Sequence, residues 1–115
     1  MAIKIYHNPR CSKSRQALAI IKSKTSKFEV IDYLKNPLTF KEIKLLLSQL
    51  NIKPLKLIRV QESIWKENYK TKEINDDEII NAMVNHPKLI ERPIITTNKK
   101  GIIGRPLENV LDLFS

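Results

Sequence analysis

The chain carries one cysteine, Cys11, and its neighbours are those of a nucleophile. It lies in Tyr6-His7-Asn8-Pro9-Arg10-Cys11-Ser12-Lys13-Ser14-Arg15, where Arg10, Lys13 and Arg15 place three cations within four residues of the sulfur. An unperturbed thiol is almost wholly protonated at neutral pH. Nearby cations and a helix N-terminus both favour the thiolate, the form that attacks electrophiles. The same charges attract an anionic substrate. A buried cysteine packed as a small hydrophobe is the ordinary alternative, but it gives the clustered cations no role.

The flanking elements must deliver that thiol to a helix end. Ile3, Ile5 and Tyr6 read as a strand over 2–6, and Asn8-Pro9 marks a turn. Ala17, Leu18, Ile20 and Ile21 share one helical stripe, which predicts a helix over 11–24. Residues 28–33 alternate as a strand does, so the first third is a βαβ unit with parallel strands and a right-handed crossover. Thr39 and Glu42 form a capping box ahead of Ile43, Leu46, Leu47 and Leu50, with Asn51 as the stop. A short helix or turn follows over 54–60, then a weakly anchored helix in 61–72 around Ile64, Trp65 and Tyr69. Asn75 and Glu78 cap another helix that buries Ile79, Ile80, Met83 and Val84 and ends at His86-Pro87. Arg92 to Thr97 reads as a strand, 98–101 as a turn, and 102–104 as its antiparallel return. Arg105-Pro106 opens a last helix, with Pro106 in the first turn and Val110, Leu111 and Phe114 inward.

This order predicts an α/β, thioredoxin-like (glutaredoxin-like) fold: a mixed four-stranded sheet with a helical insertion before the C-terminal β-hairpin, in one domain over 1–115. In such a fold the thiol lies beside the residue that precedes the hairpin's first strand. Here that is Arg92, followed by Pro93. A proline heading a strand needs only its missing donor as explanation, but a cis bond would bend the backbone toward the sulfur.

Charge and cysteine usage bound the function. Twenty-one basic against 12 acidic residues give +9, which invites a nucleic-acid reading. The lysines are spread along the chain and stacking aromatics are few, so specific nucleic-acid binding is disfavoured. One cysteine forms no internal disulfide, which fits a reducing compartment. No apolar run reaches membrane-span length, and Lys4 and Pro9 interrupt any signal-peptide core. A cytoplasmic monomer without a membrane segment is expected. His7 and Cys11 leave only His86 as a third nitrogen or sulfur ligand, too few for a structural zinc site, so no metal is expected.

The sequence resembles the ArsC-type, glutathione- and glutaredoxin-dependent arsenate reductase family over essentially its whole length. The carriers are Tyr6-His7-Asn8-Pro9-x-Cys11-x-x-Ser14-Arg15, Leu57-Ile58-Arg59, His86-Pro87, Arg92-Pro93-Ile94-Ile95, and Arg105-Pro106 before Val110-Leu111-Asp112. The resemblance implies that Cys11 attacks arsenate, or a related oxyanion, to form a thiolate–arsenate adduct. Glutathione, a co-substrate rather than a bound cofactor, would displace it, and glutaredoxin would resolve the mixed disulfide as arsenite leaves. The family's arginine triad falls on Arg59, Arg92 and Arg105, whose planar forks suit an oxyanion. An exposed ion pair is the ordinary alternative for Arg59. His7 would tune the thiolate as an imidazolium or serve as a hydrogen-bond partner when neutral. Asn8, Ser14 and Arg15 would support the sulfur or its loop, and Pro93 would be structural.

Ser14 stands where a second thiol would complete Cys-x-x-Cys, so turnover needs an outside thiol. Position 17 is alanine, which disfavours the Cys-x5-Arg loop of phosphatase-type arsenate reductases. Arg10, Ser12 and Lys13 replace the small neutral residues of the best-known reductases. Two other readings compete: a monothiol glutathione-linked thiol–disulfide oxidoreductase, and a binding protein similar to the Spx regulators that dock on RNA polymerase.

Overall fold

Alternating burial builds the central strand. In β1 (Ile3–Tyr6), Ile3 and Ile5 turn into the core while Lys4 faces solvent. The computed structural model describes residues 2–70 and 73–114. β1 pairs in parallel with β2 (Phe28–Ile31) and antiparallel with β3 (Ile94–Thr96), which pairs antiparallel with β4 (Gly101–Ile103). The strand order is β2-β1-β3-β4, the mixed four-stranded sheet expected. β2 stops two residues short of the expected Tyr33. Asp32 Oδ1 accepts the N–H groups of Leu34 and Lys35 and turns the chain there.

The described chain forms two compact units. One holds residues up to Asn36 together with those from Arg92 onward; the other is Pro37–Glu91. In the first, α1 (Ser12–Lys24) lays Ala17 and Ile21 against Ile3, Ile5, Ile95 and Val110, and Leu18, Ile20 and Phe28 pack around them. The last helix, α5, covers only Glu108–Asp112. Pro106 therefore precedes the helix instead of occupying its first turn. The carbonyls of Pro106 and Leu107 accept from Asn109 and Val110, i→i+3 bonds that tighten the chain into a turn first. Leu111 is 46% exposed, against expectation. Leu107, Val110 and Phe114 form the inward stripe, and Leu111 lies about 100° from Val110.

The second unit is the helical insertion. α2 (Phe40–Leu50) starts at the Thr39/Glu42 capping box, both of whose bonds form, and ends at Asn51 in the left-handed conformation at φ 55°. Asparagine tolerates that conformation better than most residues. A 3₁₀ turn (Pro54–Leu57) and α3 (Ser63–Asn68) follow. Trp65 is buried and stacks on Tyr69 at 5.3 Å. Residues 71 and 72, the end of the expected 61–72 helix, lie outside the described residues. α4 (Asp76–Asn85) begins at the Asn75/Glu78 box and packs on α2 and on both 3₁₀ turns, the second being Pro87–Leu89. Its buried side is Ile79, Ile80, Ala82 and Met83, with Val84 at the margin instead of inside. No helix among the described residues is long and apolar enough to cross a membrane. The architecture is the thioredoxin-like fold, with its insertion ahead of the hairpin.

Candidate active site

Cys11 is the N-cap of α1 and is only 8% exposed. Its position follows from the preceding loop. Asn8 Oδ1 accepts the Arg10 N–H at 3.0 Å, and the Asn8 carbonyl accepts the Cys11 N–H at 3.0 Å. Asn8 therefore supports the loop, one of its two expected uses, through an asparagine turn.

Burial alone pushes the Cys11 thiol up. The Ser14 N–H, the Arg105 guanidinium, the Arg92 charge and the Lys13 N–H act against that and leave it below the ordinary thiol range. Neither amide closes a formal capping bond on the sulfur, so they act as the dipole end of α1. Arg105 reaches it directly, with Nη2 3.5 Å from Sγ.

The source of the positive charge differs from the one the sequence suggested. The side chains that favour the thiolate come from Arg105 and Arg92, not from the cations flanking Cys11. Arg15 Nη1 donates to the Pro9 carbonyl at 2.8 Å and braces the loop, while Arg10 and Lys13 are exposed. Their side chains leave the helix at angles set by the 100° step per residue, and only Ser14 in that turn points inward.

Arg92 and Arg105 each precede a cis proline, Pro93 and Pro106. The two segments run side by side. The Gly104 N–H donates to the Pro93 carbonyl and Arg105 Nε donates to the Arg92 carbonyl, both at 2.8 Å. Arg105 thus spends one donor on backbone and another on the sulfur. Arg59 belongs to the other unit, where its guanidinium bonds the Lys88 carbonyl at 3.2 Å and pairs with Glu62 at 3.3 Å.

His7 and Ser14 are buried at 7% and 0% exposure, with Nδ1 and Oγ 2.6 Å apart. Ser14 Oγ also accepts the Asn8 N–H at 3.0 Å. Burial lowers the His7 pKa; Asp32 opposes this, and Arg15 and Lys22 reinforce it. Burial thus favours the neutral ring, whose Nδ1 shares a hydrogen bond with the Ser14 hydroxyl. His7 serves as a hydrogen-bond partner to Ser14, whose backbone N–H then faces the sulfur.

Ser14→Ala is accordingly expected to destabilise the protein by about 1–3 kcal/mol, because it strands the Asn8 N–H and His7 Nδ1. The backbone amide survives, so the pH profile of Cys11 alkylation should shift little. Urea unfolding and iodoacetamide kinetics check both halves. Sequence reasoning missed the Arg92 carbonyl and Gly104. The glycine ahead of Arg105-Pro106 was the available signal, but backbone acceptors carry no residue signature.

The ArsC family model matches residues 6–113. An arsenate reductase of Neisseria meningitidis serogroup A is 39% identical, covering 94% of each chain. The uncharacterised protein YfgD of Escherichia coli K12 is 42% identical, covering 96% of this chain and 95% of its own. Among solved structures, an arsenate reductase from Vibrio cholerae superposes with a TM-score of 0.92 at 41% identity, covering 97% of each chain. With a lone thiol at the head of α1, an arginine on its sulfur and a family match across nearly the whole chain, this protein belongs to the ArsC family.

Proposed function

We propose that the protein is an arsenate reductase that uses Cys11 as its only catalytic thiol, with glutathione as co-substrate and glutaredoxin as partner. The observation that carries this is the cradle around the sulfur: a thiolate stabilised by the α1 N-terminus, Arg105 and Arg92. That positive surround also suits a tetrahedral oxyanion. The arsenate reductases at about 40% identity support the substrate.

In the first step the Cys11 thiolate bonds to arsenic(V), and an arsenate oxygen leaves as water after taking up protons. Glutathione thiolate next attacks the Cys11 sulfur. The sulfur–arsenic bond breaks and its electron pair stays on arsenic, which departs as arsenite. This leaves a Cys11–glutathione disulfide, from which glutaredoxin removes the glutathionyl group. The net change is arsenate plus two glutathiones to arsenite, glutathione disulfide and water. The chain has no second cysteine to perform the resolving step itself. Arg92 and Arg105 are the oxyanion-binding arginines of this reading; Arg59, the third arginine that the resemblance implies, holds Glu62 and the Lys88 carbonyl within its own unit.

The test is arsenate-dependent NADPH oxidation with glutathione, glutaredoxin and glutathione reductase. Turnover is expected in the full mixture and should vanish when glutaredoxin is omitted. Folded protein inactive with several glutaredoxins would sink the proposal. Activity supported only by thioredoxin and its reductase would retain the arsenate chemistry and reject the donor.

A further inference from the structure

We propose that Gly104 is a positioning residue: its missing side chain lets the chain before Arg105 lie against Pro93, which sets the Arg105 guanidinium at the Cys11 sulfur. The proposal rests on the reading of Cys11 as a thiolate nucleophile. Gly104 is buried, and its φ is not in the left-handed region. Its conformation is therefore open to alanine, which would cost less backbone entropy on folding. Space forbids it. A Cβ at Gly104 would meet Pro93 Cγ at 2.8 Å, Val110 Cγ2 at 3.0 Å and Ile95 Cδ1 at 3.2 Å.

Of these three neighbours the isoleucine tip is the most flexible. Pro93 Cγ moves only by ring pucker, and Val110 is β-branched and fully buried on α5. Much of the relief therefore falls on the 104–105 backbone. That backbone is tied to the site twice, through Gly104 N–H to the Pro93 carbonyl and Arg105 Nε to the Arg92 carbonyl. Arg105 Nη2 stands at 3.5 Å from Sγ, so a shift of a few tenths of an ångström alters both its contact and its direction. The added methyl thus acts on the sulfur through the 104–105 backbone and the Arg105 side chain.

The experiment measures iodoacetamide alkylation against pH. Cys11 is the only cysteine, so the signal has one source. Wild type, Gly104→Ala, Arg105→Ala and the double variant form a cycle. Gly104→Ala is expected to slow alkylation at pH 6.5 about fivefold and to move the profile to higher pH. In the Arg105→Ala background the same change should have less than about a 1.5-fold effect, because the group it acts through is gone.

A folded Gly104→Ala protein with the wild-type profile would overturn the proposal. So would an equal slowing in both backgrounds. If Gly104→Ala does not fold, Gly104→Ala with Val110→Ala removes the 3.0 Å contact and is read in the same way; loss of fold in both would assign the glycine to core packing and overturn the proposal. A wild-type profile at the ordinary thiol position would overturn the thiolate reading and this proposal together. A depressed wild-type profile unmoved by Gly104→Ala overturns the glycine role alone.

Discussion

Cys11→Ser is expected to lower arsenate turnover at least about a thousandfold while leaving the protein folded. A serine hydroxyl is a weak nucleophile at neutral pH unless a base takes its proton. His7, four residues before Cys11 in the chain, is the candidate, but its Nδ1 is hydrogen-bonded to Ser14. Arg105 and Arg92, which favour the thiolate, do not supply a base. No second thiol in the chain can substitute. The fold should tolerate the change because position 11 is the N-cap of α1, where serine is among the preferred residues. Stability is expected to stay within about 1 kcal/mol of wild type, or to rise. The coupled NADPH assay and urea unfolding on the same preparation check both halves. Retention of a tenth of wild-type turnover would remove Cys11 from the chemistry. Loss of fold would instead mean that the sulfur's packing matters more than its reactivity.

The parts of the site governed by local rules were legible. A turn after an apolar strand and before an amphipathic stripe placed Cys11 at a helix N-terminus, and the structure makes it the N-cap. The capping boxes at Thr39 and Asn75 located two helices of the insertion because both partners lie within one turn. What sequence adjacency could not supply was direction. Arg10, Lys13 and Arg15 are the sulfur's neighbours in the chain, yet Arg105, 94 residues away, reaches it. Side chains near a helix start fan around its axis, so proximity in number does not mean proximity in space. Pro106 misled for a related reason. Its fixed φ suits a first helical turn, but equally a turn ahead of one, and here the i→i+3 bonds after it decided. Leu111 is expected inward with Val110, but adjacent helical positions point about 100° apart, and Val110 takes the buried one. Arg92 was legible from the element order, which sets the residue before the hairpin beside the thiol, whereas Arg105 was legible only through family resemblance, since its approach depends on the pairing of β3 with β4.

Arg105→Ala is expected to reduce kcat/KM about 10- to 100-fold and to move the Cys11 alkylation profile to higher pH. A hydrogen bond to a charged group contributes about 1.5–3 kcal/mol, and each 1.4 kcal/mol is about tenfold in rate. Arg105 is exposed at its outer side, so screening places the effect toward the lower half of that range and shrinks it further in high salt. The sign follows from the charge: the guanidinium holds the thiol below its ordinary range, so removing it raises the pH at which half the sulfur is ionised. Arg105→Lys restores a cation but not the fork. One ammonium on a flexible stem does not reproduce the planar bridge from the Arg92 carbonyl to the sulfur, so only part of the loss should return. Arg92→Ala separates backbone from side chain. It removes a charge that acts on the sulfur but keeps the carbonyl that holds Arg105, so its effect on alkylation should be the smaller of the two. Arsenate kinetics can rank them differently. If Arg92 binds the oxyanion, Arg92→Ala raises KM more than it slows alkylation, whereas Arg105→Ala changes both. Equal alkylation profiles for Arg105→Ala and wild type would show that the 3.5 Å contact contributes nothing to the thiolate, and would leave the helix dipole and the Arg92 charge as its support.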